Sequence, residues 1–349
     1  MRVTSRRSVV VVGNGMVSHR FCEALTDRAT ERAHRGVVFG EEPRPAYDRV
    51  HLTQYFAERC AEKLLLGTED WYQSRGVELR VGCAVAAIHR DSQEVETASG
   101  ERVPYDVLVL ATGSAPFVPP VAGCTKRGVF VYRTLEDLEA IARYREGRRR
   151  VAVVGGGLLG LEAARAMVDS GAETHVVELA PRLMPRQLDA RGSALLARSI
   201  EGLGVRLHLG EKLVGIAGEE HVTGLCLESG VLPVDLVILS AGIKPRDELA
   251  RAAGILVGPR GGVVVDDQLR TSDPGVYAIG EVALHQGTLY GLVGPGYEMA
   301  DTLARHLLGE AATFGGGDLS SRLKLLGTDV ASFGDPFADE GTAAVVVDD

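Results

Sequence analysis

The chain has 349 residues, 45% hydrophobic and 24% charged, a balance that suits about two folded domains and excludes a disordered polypeptide. A formal net charge of −9 gives no long-range attraction to a phosphate backbone, so no nucleic-acid partner is expected. The five cysteines, Cys22, Cys60, Cys83, Cys124 and Cys226, form no Cys-x-x-Cys pair and no iron–sulfur spacing, which fits reduced thiols.

At the N-terminus Met1, Arg2, Arg6 and Arg7 precede the apolar run Val9–Val12. That run is too short for a signal peptide and Gly13-Asn14-Gly15 interrupts it. No window approaches the roughly 18 apolar residues of a membrane helix, so a cytoplasmic chain without membrane contact is expected. After the glycine turn, Val17, Phe21, Ala24 and Leu25 share a helical face, and Gly36-Val37-Val38-Phe39 reads as a second strand. Val107–Leu110 reads as a buried strand ending in Ala111-Thr112-Gly113-Ser114, and residues 117–120 as a linker. Thr134 and Asp137 are spaced as a capping box opening a helix through Leu138 and Ile141. Arg148, Arg149 and Arg150 read as a solvated loop.

The opening pattern then recurs. Val151–Val154 leads into Gly155-Gly156-Gly157-Leu158-Leu159-Gly160, Ala163, Ala166 and Met167 follow with Leu159 on one face, and Thr174-His175-Val176-Val177 is the next strand. Two strand–helix–strand units imply α/β architecture with parallel sheets, two Rossmann-like dinucleotide-binding domains. Leu236–Leu239, residues 261–266 and residues 276–279 read as further strands, Gly315-Gly316-Gly317 as a break, and Ala343–Val347 as a last apolar run. A terminal strand needs a partner, so a longer natural or ancestral protein is expected.

A glycine turn between strand and helix aims backbone N–H groups at the positive end of a helix dipole, where a diphosphate is stabilised. One glycine permits the turn, the next admits the phosphate, and the third lets helix and strand pack. Gly155, Gly157 and Gly160 supply all three, with Leu158 and Leu159 beside them. Gly13 and Gly15, with Met16 and Val17 beside them, supply two, and Ser18 takes the third place at slight loss. An acid after the second strand accepts the ribose hydroxyls: Glu178 in the second unit, Glu41 or Glu42 in the first. Such an acid repels a 2′-phosphate, which puts NADH ahead of NADPH, although Arg182 lies nearby. His51, His175 and His285 lack metal-ligand spacing and read as structural, as do Trp71 and Tyr72. No metal is expected.

Tyr105–Ser114 and Thr271–Glu281 resemble the two FAD-contacting stretches of the pyridine-nucleotide–disulfide oxidoreductase superfamily. More narrowly, Gly13–Val17, Glu41–Leu52, Gly155–Ala164, Val177–Met184 and Leu323–Gly327 are similar to the N-terminal flavoprotein portion of the NAD(P)H-dependent nitrite reductase large subunit. The resemblance spans about residues 9–335. It implies a discontinuous FAD domain (1–118 and 251–315), an inserted NAD(P)H domain (119–250) and part of a C-terminal interface domain (316–349). It implies that Gly13, Gly15, Met16, Val17, Glu41, Arg49, Ala111, Thr112, Gly113, Gly280 and Glu281 hold FAD, Glu281 through the ribityl chain. Asp48 is the other partner open to Arg49. Gly155, Gly157, Leu158, Leu159, Glu178 and Gly242 then hold NADH, with Ile243 assisting.

Glu162 is the one candidate beside the reacting rings, as in ferredoxin reductases, with a solvated helix face as its alternative. Hydride transfer itself requires no acid or base. The chain lacks the cysteines and further domains where nitrite reductases act on nitrite, carries Gln54 where ferredoxin reductases have Lys, and has Val282 where relatives show Cys. The expected function is FAD-dependent oxidation of NADH with electrons passed to an acceptor protein or domain. The alternatives are a ferredoxin or rubredoxin reductase, ranked second because the chain is acidic, and a non-catalytic FAD- and NAD-binding module. A homodimer is among the expected assemblies.

Overall fold

The computed structural model describes residues 7–29, 34–325 and 328–333. Its main elements in chain order are β1 (Arg7–Val12), α1 (Met16–Arg28), β2 (His34–Phe39), β3 (Val77–Arg80), β4 (Val107–Leu110), β5 (Val129–Val131), α2 (Leu135–Arg145), β6 (Arg150–Val154), α3 (Leu158–Asp169), β7 (Glu173–Glu178), α4 (Ala190–Gly202), β8 (Val205–Leu209), β9 (Leu236–Leu239), β10 (Val276–Ala278) and α5 (Val293–Leu307). The chain divides into two compact units. One comprises Met1–Tyr55, Arg59–Ala115 and Ile243–Asp318; the other comprises Phe56–Glu58, Pro116–Gly242 and Leu319–Asp349.

The first unit holds a five-stranded sheet, β10-β4-β1-β2-β3, with every neighbouring pair parallel. Val9 to Val12 and Val107 to Leu110 are all buried, as continuous apolar runs must be when a sheet is covered on both faces. Helix α1 buries Phe21, Ala24 and Leu25 and packs on α5, while Arg20 on its polar face pairs with Asp301 at 2.8 Å. Val17 is only partly buried, and it packs against the core at the start of the helix.

The second unit repeats the plan. Its sheet runs β5-β9-β6-β7-β8, again all parallel, so each strand has a counterpart in the first sheet. In both units a three-stranded antiparallel sheet lies in the chain between the third strand and the return to the sheet centre: Val85–His89, Glu94–Thr97 and Arg102–Pro104 in one, and Leu213–Ala217, Gly224–Leu227 and Gly230–Pro233 in the other. The duplication read from the glycine turns thus extends through the whole sheet order.

The Thr134 capping box forms as its spacing implies: Thr134 Oγ1 accepts from the Asp137 N–H, and Asp137 Oδ2 accepts from the Thr134 N–H. The strand expected at residues 261–266 is shorter, Val263–Val265, because Gly261 and Gly262 both take left-handed φ, which no strand continues through. The strand expected at 276–279 stops at Ala278. Among the described residues no helix is long and apolar enough to cross a membrane. The final apolar run, Ala343–Val347, lies outside the described residues.

Candidate functional site

The first glycine turn follows β1. Gly13 has φ +107, its N–H donates to Phe39 O at 2.9 Å, and a Cβ placed there would sit 2.2 Å from the Ala111 carbonyl oxygen. Only glycine satisfies both conditions. Gly15 is different. It has ordinary extended φ, caps α1, and a Cβ on it would meet no atom within 4 Å. The fold therefore needs Gly13 for itself, whereas Gly15 leaves open space in front of the unsatisfied N–H groups of a helix N-terminus. Ser18, at the third place, is buried with its hydroxyl unpartnered.

Acids and arginines surround this turn. Glu41, just beyond the end of β2, is paired by both guanidinium nitrogens of Arg246, Nη2 to Oε2 at 2.7 Å. That hydrogen bond holds the Glu41 carboxyl below its ordinary range, against the opposing effect of burial. Glu42 accepts instead from Arg49 and from the Tyr47 hydroxyl, the latter at 2.6 Å. Arg49 stacks over the Tyr47 ring, and its N–H points at Met16 Sδ, 3.3 Å away. Burial works against its charge, but Tyr47 and Glu42 outweigh it and raise its pKa. Asp48, the other partner open to Arg49, accepts from the N–H groups of Val50 and His51.

Beyond the end of β4, the Thr112 hydroxyl donates to Arg246 O at 2.7 Å, and Gly113 O accepts from the Arg246 N–H at 2.9 Å. The Ser114 hydroxyl donates to Glu281 Oε2 at 2.7 Å. Glu281 sits in a single 3₁₀ turn, and Gly280 before it has left-handed φ and lies against Val17. The structure thus gathers Gly13, Gly15, Met16, Val17, Glu41, Arg49, Ala111, Thr112, Gly113, Gly280 and Glu281 within the first unit. Sequence reasoning missed Ser114, Tyr47 and Arg246 as parts of it. Ser114 closes a stretch already singled out; Arg246 is 205 residues from Glu41, and nothing local marks it.

The second turn reproduces the first. Gly155 has φ +120, donates to Val177 O at 2.8 Å, and would place a Cβ 2.2 Å from Ser240 O. Gly157 caps α3 and faces open space. A Cβ on Gly160 would lie 2.0 Å from Gly155 O, the close helix–strand packing that the third glycine serves. Glu178, the last residue of β7, is gripped by backbone: Oε2 accepts from Gly156 N–H at 2.6 Å and Oε1 from Ala180 N–H at 2.7 Å. Leu158 and Leu159 open α3 half-buried, Glu162 is half-buried one turn further, and Gly242 is exposed with left-handed φ. These residues belong to the second unit, while Ile243 belongs to the first.

The histidines find protein partners: His51 with Asp48, His175 with His208, and His285 with Asp267. Trp71 stacks on His19, and the buried Tyr72 donates to the Asn14 side chain of the first turn. No cluster of three metal-ligating side chains occurs among the described residues, and all five cysteines are free.

The family model for the pyridine nucleotide-disulphide oxidoreductases matches residues 6–303. The nitrite reductase [NAD(P)H] large subunit of Klebsiella oxytoca is 52% identical over 94% of this chain and 34% of that protein. The nitrite reductase (NADH) large subunit of Escherichia coli is 46% identical over 95% of the chain and 39% of its own length. The chain therefore spans little more than a third of these two relatives. Among solved structures, a ferredoxin reductase from Rhodopseudomonas palustris superposes with a TM-score of 0.84 at 31% identity, over 90% of this chain and 79% of that one.

Proposed function

The chain belongs to the pyridine nucleotide-disulphide oxidoreductase family, whose members bind FAD and NAD(P)H, and from that premise we propose that it oxidises NADH as the electron-input module of a nitrite-reductase-like system. The first unit is read as the FAD domain and the second as the NAD(P)H domain. The observation that carries this is the repeated cradle: Gly15 and Gly157 each cap a helix, and each leaves space where a side chain would stand. A diphosphate fits such a place.

FAD, when bound, accepts a hydride from the reduced nicotinamide and returns electrons singly or in pairs. The residues of the chain bind and orient. In this reading Gly13, Gly15, Met16 and Val17 present helix α1 to the FAD diphosphate, Glu41 takes the ribose, and Arg49 offsets phosphate charge. Ser114 orients Glu281 toward the ribityl hydroxyls. Gly155, Gly157, Leu158 and Leu159 present α3 to the second diphosphate, and Gly242 lines the nicotinamide side. Glu178 accepts the adenosine ribose hydroxyls with a carboxylate already fixed by two N–H groups, which favours NADH over a 2′-phosphorylated cofactor. Glu162 is assigned to the nicotinamide side of α3. The chain has no Cys-x-x-Cys pair, so an acceptor protein or domain would take electrons from the bound cofactor without a dithiol relay between them.

Anaerobic titration of the purified protein tests this. NADH should bleach a yellow protein at near-stoichiometric addition, with NADPH needing a large excess. A yellow protein that keeps its colour in NADH is a binding module instead. Reduction of a small iron–sulfur carrier in preference to other acceptors would favour the second reading, a ferredoxin reductase, to which the similarity with the Rhodopseudomonas palustris protein points.

A further inference from the structure

We propose that Arg246 is a further cofactor-binding residue of the first unit, a strap that closes over the adenosine–diphosphate end of FAD and slows its release. The proposal rests on reading the Gly13–Gly15 turn as the FAD cradle. Arg246 is held at both ends. Its backbone is fixed beyond the end of β4 by the bonds to Gly113 O and from Thr112 Oγ1, while its guanidinium is fixed beyond the end of β2 by Glu41. In the sheet, β1 lies between β4 and β2, and all three strands run the same way.

Strands two places apart are separated by about 10 Å. A residue anchored at the ends of β4 and β2 therefore crosses the end of β1, where the glycine turn begins. An extended arginine meeting a glutamate covers such a span.

Charge gives the crossing its use. Glu41, Glu42 and Glu281 place three carboxylates in the unit that is to hold a doubly negative diphosphate. Arg49 answers Glu42, and Arg246 answers Glu41. The guanidinium has five N–H donors and the fork to Glu41 uses two, so the same group can reach a phosphate or ribose oxygen without releasing the carboxylate. Glu41 keeps lone pairs for the ribose hydroxyls.

The experiment follows FAD release from the holoprotein after dilution, by the rise in flavin fluorescence, at low and high salt. R246A should release FAD about fivefold to tenfold faster at low salt. Added salt should accelerate release from the parent more than from R246A, which keeps only Arg49 to be screened. R246K, which keeps the charge without the fork, should fall between them. Melting of the apoproteins should shift little, separating the strap from a merely structural contact. If R246A does not fold, R246K and R246M decide by the same rates. Parental release rates with the parental salt slope overturn the strap, whereas a parent that takes up no FAD overturns the cradle on which it rests.

Discussion

The paired glycines of each turn make opposite demands on their neighbours, and substitution separates them. Gly13→Ala puts a Cβ onto the Ala111 carbonyl at a φ of +107, so it should cost about 3 kcal/mol or more and lower the melting temperature of the apoprotein. Gly15→Ala meets nothing, so apoprotein stability should stay within about 0.5 kcal/mol while FAD affinity falls about tenfold or more. Equal effects of the two on melting would remove the phosphate assignment of Gly15. Glu178 carries a second residue-scale prediction. Glu178→Ser should lower the ratio of kcat/KM for NADH to that for NADPH by about tenfold, since one ribose-binding carboxylate is worth roughly 1.4 kcal/mol or more. It also strips acceptors from the Gly156 and Ala180 N–H groups, so some stability is lost with it. An unchanged cofactor ratio would exclude Glu178 from the ribose.

At the level of elements, α2 owes its start to a reciprocal pair of hydrogen bonds. Thr134→Ala should destabilise the protein by about 1 kcal/mol, measured by thermal or urea unfolding. Strands β7 and β8 are joined by more than their ladder: His175 and His208 stack with their ring nitrogens 2.9 Å apart. Burial lowers the pKa of both below 6.5, and for His175 the neighbouring His208 lowers it further. A depressed folded-state pKa means that the unfolded chain binds the proton more tightly. Their contribution is therefore complete above pH 6.5 and is lost as pH falls through the depressed folded values. His208→Gln should flatten the pH dependence of melting between about pH 5 and 7. A slope as steep as that of the parent would show that the pair does not titrate in that window.

For the whole molecule, two parallel sheets each carry a glycine turn of the same kind, and the chain spans little more than a third of the nitrite reductases it resembles. It should reduce an artificial dye with NADH while consuming no nitrite; nitrite loss dependent on NADH in the isolated chain would overturn the electron-input reading. Much of this was legible in the residues. Runs of valine into glycine turns, repeated twice, determine two parallel sheets, because such runs bury both faces and such turns close only with glycine. The same local pattern marked Gly15, Gly157 and Glu178, whose proposed roles depend on neighbours within one strand–helix–strand unit. What tertiary structure alone decided is how distant charges pair. Glu41 and Glu42 are adjacent and chemically identical, yet one meets Arg246 and the other Arg49. Ser114 meets Glu281 across 167 residues. Those partners arrive by the order of strands in the sheet, which brings the ends of β10, β4, β1 and β2 side by side, and no spacing along the chain encodes that meeting.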